Sequence, residues 1–321
     1  MQMKKGQPVQ IRWILFLFGI FGNLMVGGQS WAFNQPPMNH SITTFLDGGA
    51  PQGFYYMNYS ILTKGKTPMD QDGNEVPGGA KVNALVSSHQ FYYISTAKFL
   101  GGNLALDVIL SLSAVTSKGQ LPVPPPAPPG NFFPVTSNTA GMADTIIGPA
   151  LVWNGGTLLG GPFFQRFELQ TTFPTGKYEK DNTINPGSNL TTFNPYYSAV
   201  WMFGPKWETS WRFYYAIHST NKDDVRGPVK PGQAAHLNYA VSREVLPKWR
   251  LGVAGYYLQQ LTEDKINGVK VDNSKERVIS AGPGFVYMGQ GLTAMFSYPL
   301  EFSVENRFKG SRATLQLIHK F

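Results

Sequence analysis

Residues 207–218 read Trp-Glu-Thr-Ser-Trp-Arg-Phe-Tyr-Tyr-Ala-Ile-His. Trp207, Thr209, Trp211, Phe213, Tyr215 and Ile217 alternate with Glu208, Ser210, Arg212, Tyr214, Ala216 and His218. The first set is largely aromatic, the second polar with charge of both signs. Successive side chains of a strand point to opposite faces, so a period of two predicts a strand between two unlike environments.

The pattern recurs on either side. Leu292, Ala294, Phe296, Tyr298, Leu300 and Phe302 oppose Thr293, Met295, Ser297, Pro299 and Glu301. Phe163, Phe167, Leu169 and Phe173 oppose Arg166, Glu168, Gln170 and Thr172, and Leu104 to Leu112 repeats it around Asp107. A soluble sandwich also alternates, but its strands are commonly five to six residues long. Runs of 10 to 14 residues fit tilted strands crossing a bilayer, which need about 9 to 11.

Composition agrees. Of 321 residues, 35 are Gly and 24 Pro, which resist the interior of a helix. Charged residues are 14%, against roughly 25% in a typical soluble domain. With no Cys, a disulfide framework and thiolate metal sites are excluded. Thr145 to Gln165 and Val278 to Leu300 lack charge and could span a membrane as helices. Gly and Pro crowd both, near the middle, so each is read as two strands and a tight turn. A closed barrel satisfies backbone hydrogen bonds between strands, which keeps the membrane open as the solvent.

The N-terminus reads as an export signal. Lys4, Lys5 and Arg12 precede an uncharged run of 14 residues, Trp13 to Val26, then Ser30-Trp31-Ala32. That order describes a cleaved secretory signal peptide over residues 1–32. Its removal lowers the net charge from +8 to +5, since three cations leave and no anion does. No basic run suggests a nucleic-acid partner.

Counting from Phe54, strand runs fall near 54–63, 82–99, 103–117, 144–153, 163–174, 194–202, 207–219, 234–244, 249–262, 277–288, 292–304 and 312–321. Twelve is even, as bacterial single-chain barrels require. Connections after even strands are short, and those after odd strands are longer and carry most of the loop charge and proline. Short periplasmic turns and long external loops form the outer-membrane pattern, with both termini expected in the periplasm. The fold expected is an all-β, membrane-spanning, antiparallel up-and-down barrel over residues 54–321. The chain ends on Phe321, with Leu315, Leu317 and His319 on its face. A terminal aromatic of this kind resembles the signal read by the outer-membrane assembly machinery.

Phe173-Pro174-Thr175-Gly176-Lys177-Tyr178 is followed by Asn185-Pro186-Gly187-Ser188. Val229-Lys230-Pro231-Gly232, Tyr239 and Gln259-Gln260-Leu261-Thr262-Glu263-Asp264 come later. In order and spacing, over roughly Asp47 to Phe321, the chain resembles outer-membrane proteins grouped under the meta-pathway of phenol degradation. The resemblance implies a barrel that passes small hydrophobic or aromatic compounds, and brings no catalytic residues or cofactor with it.

If the aromatic parity faces lipid, the other lines a lumen. Asp107, Arg166, Glu168, Glu208, Arg212, Tyr214, His236, Glu244, Arg250, Tyr256 and Glu301 are then pore-lining candidates. Arg166 and Glu168 on one strand, and Glu208 and Arg212 two strands on, would face each other, either filling space or forming a constriction. Tyr56, Tyr92 and Tyr196 are placed on the same face, for packing or for stacking on a passing ring. Residues 33–53 precede the first strand as a periplasmic tail or a lumen plug. Leu121 to Phe133, rich in Pro, is expected to be a stiff external spacer.

The other function classes are a structural or adhesive barrel and an outer-membrane lipid hydrolase. For the latter, His218-Ser219 could supply base and nucleophile. Neighbours on a strand point apart, however, so they should not meet. No phosphate loop or metal-spaced His cluster appears, so no enzyme, metal or cofactor is expected. The partners expected are outer-membrane lipid, the assembly machinery and a small hydrophobic or aromatic solute.

Overall fold

The computed structural model describes residues 35–42, 44–123 and 130–321. The signal peptide expected over residues 1–32 and the polyproline core at 124–129 lie outside the described residues. Among the described residues there is no helix. Twelve strands follow in order: β1 (Gly53–Pro68), β2 (Lys81–Phe99), β3 (Gly102–Lys118), β4 (Ser137–Met142 and Thr145–Leu158), β5 (Gly161–Glu168 and Thr171–Phe173) and β6 (Thr192–Phe193 and Tyr196–Phe203). They continue as β7 (Trp207–His218), β8 (Ala234–Leu246), β9 (Trp249–Gln260), β10 (Arg277–Met288), β11 (Leu292–Ser297 and Leu300–Glu305) and β12 (Phe308–Lys320).

Every strand pairs antiparallel with its sequence neighbours, and β12 returns to β1 in a register from Tyr55↔Lys320 to Pro68↔Phe308. The sheet is therefore a ring without edges, which leaves no unpaired backbone ladder facing lipid. Two strand breaks coincide with Pro195 and Pro299, which cannot donate to a ladder.

Several boundaries differ from expectation, two of them in polar stretches. β1 runs on to Pro68 and β4 begins at Ser137. Both extensions are polar and read as loop, yet each is paired by neighbours of distant sequence.

The two ends of the ring differ. Short turns join even strands to the next, and in two of them a leucine precedes a glycine at positive φ: Leu100 (47°) with Gly101 (78°), and Leu159 (48°) with Gly160 (82°). Two-residue turns with both residues in this region match the twist of a hairpin. Long loops gather at the other end, with a three-stranded sheet of Val229–Lys230, Lys265–Ile266 and Val269–Lys270. Gln120–Pro122 also pairs there with Phe132–Pro134.

The outer face is apolar, with Leu104, Leu106, Leu112, Phe213, Leu251 and Val253 exposed. Near the short turns it becomes an aromatic belt: Trp201 lies 5.1 Å from Phe203, and Trp249 4.7 Å from Tyr287. Such rings suit a membrane interface, where one edge stays wet.

One parity assignment is corrected. Tyr56 faces outward, opposite Phe91 and bonded to His89 Nδ1 at 2.7 Å, while Tyr55 is buried. Phe54-Tyr55-Tyr56-Met57 is apolar or aromatic on both faces, so alternation alone carries no sign there.

Candidate functional site

The lumen is occupied by the chain itself. Met38, His40, Ser41, Thr44, Phe45 and Asp47 are buried, although they belong to no strand. Gln35 bonds to Gly232 O (2.8 Å), Gln260 Oε1 (3.0 Å) and, through its N–H, Glu276 (3.1 Å), all at the long-loop end. At the other end Ala50 O accepts from Asn154, beside a short turn. Residues 35–42 and 44–52 thus lie along the inside of the ring, and the chain enters β1 at Gly53. Gln35, the first described residue, therefore sits at the long-loop end, while the expected periplasmic placing of the N-terminus itself falls outside the described residues. Loop lengths could not report this crossing, because it precedes β1.

Asp47 is the ionic centre. Arg212 grips it with two hydrogen bonds, Nε to Oδ2 at 2.7 Å and Nη2 to Oδ1, while Arg166 Nη2 adds a third at 2.7 Å. Ser210 Oγ accepts the Asp47 N–H at 3.2 Å. The carboxylate side chain is 2% exposed. Charge-assisted forks of this kind are the strong form of the hydrogen bond. The pairing expected between Arg212 and a wall glutamate is corrected: its anion comes from the inner segment. Glu208 instead accepts from Ser210 and Ser242 (2.7 Å each), and Glu168 accepts from Tyr196 at 2.6 Å. Asp107, beside Glu168, accepts from Gln90 at 2.7 Å.

Cations and rings alternate around this centre. The Arg166 guanidinium lies 5.2 Å from the Tyr92 ring and that of Arg212 4.4 Å from Tyr196. Tyr214 stacks on His236 at 3.9 Å, His236 meets His40 edge-on at 5.2 Å, and His40 stacks on Tyr256 at 4.8 Å. Tyr256 donates to Glu301 at 2.7 Å, and Arg307 lies 3.6 Å from the same oxygen. Arg250 stands apart, donating to Ser242 Oγ (2.9 Å) and Lys206 O (2.9 Å) near the short turns, with half-buried Glu244 3.9 Å away. Asp107, Arg166, Glu168, Glu208, Arg212, Tyr214, His236, Arg250, Tyr256 and Glu301 therefore all point inward, though in separate clusters.

Phe45 fills the space beside the clasp. It is fully buried with Ala240, Ala254, Val286 and Met295. A Cβ on Gly284 would stand 2.7 Å from its ring, so glycine is what lets the ring lie on the wall. Next to it a small cavity of about 90 Å³ remains, with Phe45, Tyr55, Met57, Tyr92 and Ile94 among its lining and Asp47 and Arg166 at one side.

Several residues of the site were not singled out from sequence: Gln35, His40, Phe45, Asp47, Glu276, Arg307 and Arg312, which donates to His40 O at 2.8 Å. A partial signal existed. Gly232, Gln260 and Asp264 belong to quoted loop motifs, and here they meet one another and Gln35. A Cβ on Gly232 would collide with Thr262 O. The remaining motifs hold the loops, with Asp144 accepting from the Gly176 and Ser188 N–H groups. His218 faces Thr192 Oγ1 at 2.9 Å, and Ser219 accepts from the Thr191 N–H, so that pair does not meet. Phe321 lies at the short-turn end, its N–H bonded to Phe54 O (3.0 Å) and its ring 5.5 Å from that of Phe54.

A family model described as "Putative MetA-pathway of phenol degradation" matches residues 65–317. An outer membrane channel from Pseudomonas putida F1 aligns with a TM-score of 0.70 and 15% identity, covering 87% of this chain and 100% of that one. That likeness agrees with the closed antiparallel β-barrel fold described above. The beta domain of the Bordetella autotransporter BrkA aligns more loosely, with a TM-score of 0.44, 12% identity and 86% and 100% coverage. The CymD monoaromatic hydrocarbon channel gives 0.40, 8% identity and 91% and 94% coverage. No curated protein matches the chain in sequence.

Proposed function

The chain belongs to the MetA-pathway phenol-degradation family, and on that premise we propose that it is an outer-membrane channel for small hydrophobic or aromatic compounds. Solutes diffuse passively, and residues 35–52 close the lumen at rest. The observation that carries this reading is the pairing of a tethered inner segment with a small cavity. The segment is held to the wall by a clasp of reversible bonds at Asp47. The cavity beside it is lined mainly by Phe, Tyr, Met and Ile side chains. Apolar walls with a few convergent polar groups are the usual form of a small-molecule site. The Tyr92 ring and the Arg166 face above it would stack on a ring, and Arg166 would donate to a phenolic oxygen.

On this reading the short-turn end faces the periplasm. Residues 1–32 are removed on export, Phe321 is read by the assembly machinery, and lipid surrounds the apolar outer face. The test is uptake of a panel of aromatic and aliphatic solutes by cells with and without the gene. Faster uptake of the aromatic members is expected. Equal uptake of every solute sinks the reading.

A further inference from the structure

Four lysines share one hollow on the outside of the wall. Lys64 and Lys66 come from β1, Lys81 from β2 and Lys118 from β3, and together with Glu75 and Asn83 they line a concavity of about 620 Å³. Alternation places Lys64, Lys81 and Lys118 outward, and exposed Lys66 sits beside them at a bulge in β1. Lys64 continues the row of exposed Phe54 and Leu62, Lys81 that of Leu85, and Lys118 that of Leu112. The hollow therefore looks away from the lumen and cannot meet a solute passing through it.

Its charge is uncompensated. Lys81 stands directly opposite Lys118 in the β2–β3 ladder, and Lys64 opposite Asn83. Like charges facing each other across a ladder destabilise it. Among the described residues the lysine ion pairs lie elsewhere, at Lys177–Glu179 and Lys275–Glu263. The hollow thus holds four ammoniums against one carboxylate, Glu75, and none of the four is within 4 Å of it. Two residues below Lys64 on the same face is Leu62, and four below Lys81 is Leu85, the upper edge of the apolar band. That height is where the head groups of a surrounding lipid layer lie.

We propose that this hollow binds the phosphate groups of a glycolipid in the outer leaflet, the lysines donating to phosphate oxygens. Lysine suits the task as a compact charge that needs no fixed approach geometry. The like-charge pair is tolerated because the bound phosphate stands between its members. The inference rests on the membrane placement proposed above, but not on solute transport, so the two can fail separately.

The test uses the purified barrel in neutral detergent, titrated with bis-phosphorylated lipid A, with the same lipid dephosphorylated, and with inorganic phosphate. Bound lipid is read by native mass spectrometry and unfolding temperature by the heat-dependent gel shift. The phosphorylated lipid should bind and raise the unfolding temperature, the dephosphorylated form at least tenfold more weakly. Millimolar inorganic phosphate should not displace it. The double variant Lys81→Gln/Lys118→Gln should unfold no earlier than the parent without lipid, because a repulsion is removed, and should lose at least tenfold in lipid affinity. Lys118→Gln alone should lose part of it, which keeps the test decisive if the double variant fails to assemble. Lys177→Gln should change nothing. Equal binding of the dephosphorylated lipid, full displacement by inorganic phosphate, or unchanged affinity in the lysine variants each overturns the proposal.

Discussion

The two ends of the inner segment are held to the wall by different means. Around Asp47 the contact is ionic and tight: two guanidiniums on one carboxylate, with Phe45 fully buried alongside. Around Gln35 it is made of amide bonds to Gly232 and Gln260, one carboxyl at Glu276, and the stack of His40 on Tyr256. The first end is also covalently near β1, which begins at Gly53. On the proposed reading, opening should start at the more weakly held Gln35 end and peel toward Asp47, whose clasp is the last and strongest barrier. Strength increases along the segment in the direction of its tether.

The largest expected effect comes from removing that barrier. Asp47→Ala leaves Arg166 and Arg212 buried with no carboxylate between them, and breaking a buried ion pair from one side costs about 3–5 kcal/mol. At 1.4 kcal/mol per decade, the docked segment is disfavoured by roughly 100- to 4,000-fold. Single-channel conductance in planar bilayers should rise severalfold. The chain has no Cys, so a cysteine introduced at Ser41 should become reactive to a polar maleimide. An unchanged conductance together with a silent cysteine would break the comparison, because the charged end would then not be the stronger one.

A smaller effect should separate the two arginines. Arg212 makes both arms of the fork and lies on the Tyr196 face, whereas Arg166 contributes a single bond to Asp47. A hydrogen bond to a charged group is worth about 1.5–3 kcal/mol. Arg166→Ala should raise conductance modestly and shift selectivity toward cations, since a fixed positive charge is lost. Arg212→Ala should do more of both. If Arg166→Ala opens the channel as far as Asp47→Ala does, the fork is not what holds the segment.

The outer wall was legible in the sequence and the lumen only in part, for a physical reason. Lipid imposes the same demand at every outward position, so Trp207 to Ile217 could be read by period alone, and twelve strands follow from repeating that reading. The inward residues answer to partners far away in sequence. Parity placed Arg166, Glu168, Glu208 and Arg212 on one face, but nothing local says that the two arginines meet Asp47, 119 and 165 residues away. Asp47 itself sits in a short irregular stretch with no period to read. The close approach was visible only indirectly, as glycines in strands: Gly284, under Phe45, and Gly148, where a Cβ would meet Glu168. Where both faces are apolar, as at Tyr55 and Tyr56, the period lost its sign.

The smallest expected effect lies at the weaker end and depends on pH. Glu276 precedes β10 in the long-loop region and accepts the Gln35 N–H. Burial pushes its pKa up to about 8 from a usual 4.5; Asp264 and Glu301 also raise it, while Arg307 and the Gln35 hydrogen bond pull it down. The raised pKa belongs to the folded barrel, whereas the Gln35 N–H itself favours the ionised carboxyl. That bond therefore contributes least while the carboxyl is protonated and most once pH rises through about 8. Across pH 6 to 8 the Gln35 end should tighten, by less than the roughly 1.5–3 kcal/mol of a hydrogen bond to a charged group. A cysteine at Gln35 should then react more slowly at pH 8 than at pH 6, after correction for the intrinsic thiolate fraction. Glu276→Gln should remove that difference, while the reactivity of a cysteine at Ser41, nearer the clasp, stays flat with pH. Equal pH dependence at both positions would mean that the segment moves as one piece, and the graded peeling from Gln35 to Asp47 would have to be given up.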